Sequence, residues 1–127
     1  MGRPRILLLD DNPQVLEVGR RMVDRLGFDA VSVTGGAEAV ASYAESHGTA
    51  DCFVAVIADL SVPDGMGGLE CLAYLRKIDP EVKVVACSGH SSDPILLDYQ
   101  SRGFIAALSK PFRLEDVRRA FQLADLL

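Results

Sequence analysis

Along this chain, short and nearly unbroken apolar runs alternate with longer stretches in which apolar residues recur every three or four positions. The first run, Arg5 to Leu9, is apolar after its opening arginine, as a strand covered on both faces requires. Asn12 then offers the side chain of a helix cap, and Pro13 the fixed φ of a first helical position. Leu16, Val23 and Leu26 mark the inward stripe of that helix, and Gly27 ends it. Phe28 to Val33 predicts a second strand, in which Asp29 and Ser32 give the alternation of a sheet edge. A helix over 37–46 is closed by Gly48, and Phe53 to Ala58 predicts a third, almost wholly apolar strand. Leu69, Leu72, Leu75 and Ile78 predict the buried face of the next helix, ahead of Pro80. Val82 to Cys87 predicts the fourth strand. Asp93 and Pro94 repeat the cap-then-proline signal for a fourth helix running to Gly103. Phe104 to Leu108 predicts a fifth strand, and Leu114, Val117, Phe121 and Ala124 recur at the spacing of a fifth helix.

Strands alternating with helices imply βαβ units and therefore a parallel sheet with helices on both faces. The fold class this predicts is α/β, a flavodoxin-like (βα)5 unit whose five strands take the order 2-1-3-4-5. With 127 residues, no internal repeat and no low-complexity linker, the chain reads as one domain over residues 1–127.

Composition narrows the function. Hydrophobic residues make up 49% and charged residues 24%, the balance of a packed globular protein. A net charge of -5 argues against a nucleic-acid-binding surface, and the one basic cluster, Arg113, Arg118 and Arg119, is interleaved with Glu115 and Asp116 as on a solvated helix face. Cys52, Cys71 and Cys87 are odd in number and lack metal-ligand spacing, which predicts free thiols, buried or half-buried, in a reducing compartment. No apolar run approaches the roughly 18 residues of a membrane span, so a cytoplasmic protein without membrane insertion is expected. The apolar ending Leu126-Leu127 suits either an excised portion of a longer protein or a last helix that pairs with another copy in a homodimer.

The candidate chemistry lies just past the strand ends. In an open parallel sheet these positions meet along one edge, where ligands bind. The first strand is followed by Asp10 and Asp11, the third by Asp59, the fourth by Ser88 and the fifth, after Ser109, by Lys110. Three converging carboxylates are tolerable in ionised form only around a cation, and an all-oxygen donor set fits a hard ion, Mg²⁺ or Mn²⁺. With a lysine ammonium and a serine hydroxyl beside it, such a site suits transfer of a phosphoryl group onto a carboxylate.

The set Asp10-Asp11, then Asp59 within VIADLSVPDGMGG, Ser88 in CSG and Lys110-Pro111-Phe112, resembles the receiver domains of bacterial response regulators and hybrid histidine kinases over essentially the whole chain. That resemblance implies a phosphorylation-controlled module of two-component signalling. In it Asp59 is the phospho-acceptor, Asp11 a direct Mg²⁺ ligand, Asp10 a ligand through water, and the backbone carbonyl of Ser61 a further ligand. Lys110 contacts the acceptor carboxylate and later a phosphoryl oxygen, Ser88 closes onto the phosphoryl group, and the Lys110–Pro111 bond is cis. It further implies a sensor histidine kinase or phosphotransfer domain as donor, a downstream effector as target, and intrinsic phosphotransfer and autodephosphorylation rather than metabolic turnover. GMGGLECL, IDPEVKVVACSGHSSDP and GFIAALSKPFRLED look particularly similar to receivers attached to hybrid sensor kinases.

One position departs from the family pattern. Many receivers carry a Tyr or Phe three residues before the lysine, and here that position is Ala107, which leaves the usual aromatic switch without a side chain. His90 reads as a surface-loop imidazole, with a position beside the phosphoryl group as its alternative, and His47 as a helix-terminus residue. Asp64 and Asp93 are explained by loop and helix-cap roles. A haloacid-dehalogenase-like phosphatase with Asp10 as nucleophile needs an acid two residues later, where Asn12 stands. A dinucleotide-binding Rossmann domain needs glycines where Asp10 and Asp11 would repel a pyrophosphate. A receiver-like scaffold that is never phosphorylated has the intact acidic set against it.

Overall fold

The computed structural model describes residues 2–61, 66–90 and 92–127, so Asp64, like the rest of 62–65 and Ser91, lies outside the described residues. The elements run β1 (Arg5–Leu9), α1 (Pro13–Arg25), β2 (Asp29–Val33), α2 (Gly36–Ser46), β3 (Phe53–Asp59), α3 (Gly68–Ile78), β4 (Val84–Ser88), α4 (Pro94–Leu97), α5 (Tyr99–Arg102), β5 (Ala106–Ser109) and α6 (Leu114–Leu123). Five strands form one sheet in the order β2-β1-β3-β4-β5, and every pairing is parallel. The expected flavodoxin-like arrangement is therefore present, with β2, the most alternating strand, at an edge.

Alternation along each strand splits the core into two layers. Leu7, Leu9, Val56, Ala58, Val84 and Ala86 face Tyr43 of α2, Cys71, Leu72 and Leu75 of α3 and Leu96 of α4. Ile6, Leu8, Ala55, Ile57, Val85 and Cys87 face Val23 of α1 and Val117, Ala120 and Phe121 of α6. A strand pressed from both sides needs apolar residues at both parities, and this is why the central runs show no polar alternation. Phe121 is fully buried and meets Phe28 edge to face at 5.0 Å between ring centroids.

Local signals account for several boundaries. Asn12 Oδ1 accepts from the Gln14 amide at 2.9 Å, Pro13 follows, and Gly27 leaves the helix at φ +101°, a conformation that suits a residue without Cβ. At Gly36 a Cβ would lie 2.4 Å from the backbone oxygen of Met66, so only glycine lets the start of α2 approach the segment leading into α3.

Three expectations need correction. Leu69 is 37% exposed; the inward positions of α3 are Cys71, Leu72 and Leu75, with Ile78 half-buried, because the helix is rotated so that 71, 72 and 75 share its inner side. The fourth helix is not continuous to Gly103: Asp98, at φ -124° and ψ 32°, interrupts it and leaves two four-residue pieces. The fourth and fifth strands begin two residues later than the apolar runs predict, since Val82, Phe104 and Ile105 pack into the core from loops rather than from the ladder.

Candidate functional site

All strands point the same way, so Asp10, Asp59, Ser88 and Lys110 emerge at one edge of the sheet. Strand-like hydrogen bonding continues past the ends and fixes where these side chains leave the backbone. The Asp10 amide donates to Val33 O at 3.2 Å, the Leu60 amide to Cys87 O at 2.9 Å and the Lys110 amide to Ser88 O at 2.8 Å. The Lys110–Pro111 peptide is cis, as the resemblance implies.

Asp10 and Asp59 are buried, whereas Asp11 is exposed and leaves one side of the cluster open to water. One carboxylate oxygen from each of the three lies within 4.8 Å of the others. Each buried carboxylate has one oxygen anchored by the turn that follows it: Asp10 Oδ1 accepts from the Asn12 amide at 2.9 Å and Asp59 Oδ1 from the Ser61 amide at 3.2 Å. Lys110 Nζ sits 2.6 Å from Asp10 Oδ2 and 3.4 Å from Asp59 Oδ1. The lysine thus reaches the expected cluster, but its shorter contact is with Asp10 rather than with the predicted acceptor.

The electrostatics follow from this crowding. Burial pushes the Asp59 carboxyl above its usual range; the Ser61 amide opposes this, Asp10 adds to it, and the Lys110 ammonium offsets part of it. Burial acts to lower Lys110, but the hydrogen bond to Asp10 and the charges of Asp59 and Asp10 outweigh it, and the ammonium is held above its ordinary value. The donor set is oxygen only, drawn together in a place where the anionic form of Asp59 is under-compensated by one amine. These residues fit a hard divalent ion.

Ser88 is fully buried, its Oγ accepting from the His90 amide at 3.1 Å and donating to Asp93 Oδ2 at 3.3 Å. His90 itself is exposed, and it is its backbone amide that bonds to Ser88. The link between Ser88 and Asp93 is absent from the sequence reading, which identifies Asp93 only as a helix cap. Serine followed five residues later by an Asp-Pro cap is the signal that could have revealed it. Cys87 lies level with Asp59 across the ladder, but burial pushes its thiol up to about 12, which removes it as a nucleophile at neutral pH. Phe104 is buried in the core, and Ala107 is half-buried against the same cluster.

A sheet of this order with acids, a serine and a lysine gathered at its carboxyl edge defines a class, and comparison with known proteins gives it a family. The model of the response regulator receiver domain matches residues 6–122, and the chain belongs to that family of two-component signalling domains. It is 27% identical to the chemotaxis protein CheY of Thermotoga maritima over 114 residues, 89% of either chain. It is 28% identical over 116 residues to the sensor kinase CckA of Brucella abortus, covering 91% of this chain and 12% of that one. With the C4-dicarboxylate transport transcriptional regulatory protein DctD of Rhizobium meliloti it shares 26% identity over 122 residues, and spans a quarter, 25%, of that protein's length. Among solved structures, the receiver domain of a sensor histidine kinase from Pseudomonas aeruginosa PAO1, described with a magnesium ion coordinated in its active site cleft, superposes with a TM-score of 0.81 at 23% identity, over 98% of this chain and 99% of that one. A receiver domain protein from Clostridium thermocellum reaches 0.84 at 22% identity, over 95% and 93%. No helix among the described residues is long and apolar enough to cross a membrane.

Proposed function

We propose that this receiver domain accepts a phosphoryl group on Asp59 from the phosphohistidine of a sensor histidine kinase or phosphotransfer domain, with Mg²⁺ required, and that the modified domain engages a downstream effector. The observation that carries the reading is the buried Asp10–Lys110–Asp59 arrangement, in which one ammonium serves two carboxylates beside a third, exposed one. Asp11, Asp10, Asp59 and the backbone carbonyl of Ser61 would hold the ion, which when bound neutralises phosphate oxygens and the acidic cluster together.

The residues then divide the work. An oxygen of Asp59 attacks phosphorus, the P–N bond to the donor imidazole breaks, and the imidazole leaves carrying the bond's electrons and a proton from water. Lys110, poised between Asp10 and Asp59, moves its ammonium onto a phosphoryl oxygen as charge builds there. Ser88 donates its hydroxyl proton to another phosphoryl oxygen. Water later hydrolyses the acyl phosphate, so the domain resets itself without being a metabolic enzyme. An open groove lined by Val15, Val18, Gly89, Pro111 and Phe112 flanks Lys110 and gives a donor protein an apolar place to rest. Relatives include a chemotaxis protein matched over 89% of its length as well as a sensor kinase matched over 12%, and both are consistent with reading 1–127 as a single receiver domain in the cytoplasm.

Incubation with acetyl phosphate and Mg²⁺, followed by intact-mass measurement, tests the proposal. Wild-type protein gains one phosphoryl group that hydroxylamine removes, and Asp59→Asn gains none. Undiminished labelling of Asp59→Asn would refute the acceptor assignment.

A further inference from the structure

The hydroxyl of Ser88 carries a single proton, and that proton is already committed. It is directed to Oδ2 of Asp93 at 3.3 Å, while Oδ1 of Asp93 accepts from the Ile95 amide at 2.9 Å and so caps α4. One carboxylate therefore ties the last residue of β4 to the first turn of α4. We propose that Asp93 is a positioning residue for the phosphoryl site: it holds the Ser88 hydroxyl on the α4 side until a phosphoryl oxygen competes for the proton, and loss of that proton loosens the α4 cap. This inference rests on the reading of Asp59 as acceptor.

A serine hydroxyl donates one hydrogen bond at a time, so Asp93 and a phosphoryl oxygen cannot both be served. A phosphoryl group also brings a charge of about -1.5 to -2, which repels the Asp93 carboxylate and acts in the same direction. The element held by the cap is poorly held otherwise. α4 has four residues, is cut from α5 at Asp98, and carries Leu97 at 76% exposure. Among its described side chains, Leu96, 8% exposed, and the half-buried Ile95 hold it to the sheet. At position 107 a methyl group has no rotamer with which to carry a signal across β5, whereas the Ser88–Asp93 bond leads directly out of the site.

Amide hydrogen exchange at Ile95 and Leu97, read by NMR on the full chain with and without acetyl phosphate and Mg²⁺, tests this. The Leu97 amide donates to the Asp93 carbonyl, so both amides report the cap region. Without donor, Ser88→Ala exchanges roughly fivefold faster than wild type, the effect of losing about one supporting hydrogen bond. Phosphorylation accelerates wild type to a similar degree and adds nothing to Ser88→Ala. Asp93→Asn frees the Ser88 proton without removing the cap: its amide oxygen still accepts from Ile95, and its NH₂ can donate to Ser88 Oγ but cannot accept the Ser88 proton. In that variant phosphorylation proceeds and leaves α4 exchange unchanged. Equal acceleration of α4 in wild type, Ser88→Ala and Asp93→Asn would overturn the proposal, as would identical exchange of wild type and Ser88→Ala without donor. Absence of wild-type labelling by intact mass would instead overturn the acceptor reading, and the donor-free comparison would still decide whether the tether exists.

Discussion

The two edges of the sheet treat aspartate in opposite ways. At the amino edge, Asp79 after α3 accepts from the Tyr43 hydroxyl at 2.7 Å and from the Glu81 amide at 3.0 Å, with His47 Nδ1 3.9 Å away. Tyr43 in turn stacks between His47 and Phe53, and Arg5 lies 4.4 Å over the Phe53 ring. Neutral donors satisfy that carboxylate, and burial together with Asp79 pushes the Tyr43 phenol well above its ordinary value, so the group stays protonated as a permanent donor. At the carboxyl edge, Asp10 and Asp59 share one ammonium, and Asp59 is left wanting more positive charge. The amino edge is finished by folding, whereas the carboxyl edge keeps a buried carboxylate under-compensated, the place where the proposed function puts a cation and a phosphoryl group.

The largest expected effect comes from removing the lysine. Lys110→Ala leaves two buried carboxylates facing each other, and should lower unfolding free energy at pH 7 by about 3 kcal/mol, measured by urea denaturation without divalent ions. Millimolar Mg²⁺ should restore much of that loss in Lys110→Ala; if it restores none, the cluster is not a cation site.

Asp59→Asn should act in the other direction, raising stability at neutral pH by about 1–3 kcal/mol because it deletes an under-compensated buried charge. The pH dependence follows from the same cause. Asp59 has a folded-state pKa above its unfolded value, so the native state binds its proton more tightly. Its contribution is fully favourable below the unfolded carboxylate range and is lost as pH rises through the raised folded value. Between those two values Asp59→Asn should flatten the decline of stability with pH that wild type shows, and superimposable profiles would contradict the assigned strain.

Tyr43→Phe should cost about 1.5 kcal/mol, the lower end of the worth of one hydrogen bond to a charged group, with no change in acetyl phosphate labelling. A labelling defect in Tyr43→Phe would mean that the two edges are coupled.

Much of this contrast is legible in the chain itself. Strand number, order and the acidic edge follow from apolar runs bounded by Asp10, Asp59, Ser88 and Lys110, because a parallel sheet converts positions after strands into neighbours. Side-chain partnerships depend on rotation and reach, which periodicity does not carry. Lys110 therefore proves nearer to Asp10 than to Asp59, Leu69 turns outward, and the Tyr43–Asp79 bond joins residues 36 positions apart that no local pattern connects. The break at Asp98 is hidden for a different reason: Ile95, Leu96 and Tyr99 stand at the spacings a continuous helix would also show, and no glycine or proline marks the interruption before Gly103.

Titration of the wild-type chain with Mg²⁺, followed through backbone amide signals, addresses the carboxyl edge most directly. The account predicts saturable shifts confined to the turns after β1, β3 and β5, led by Asn12, Ser61 and Lys110, and their loss in Asp11→Asn and Asp59→Asn. Shifts that fail to saturate in the millimolar range, or that survive both substitutions, would contradict it.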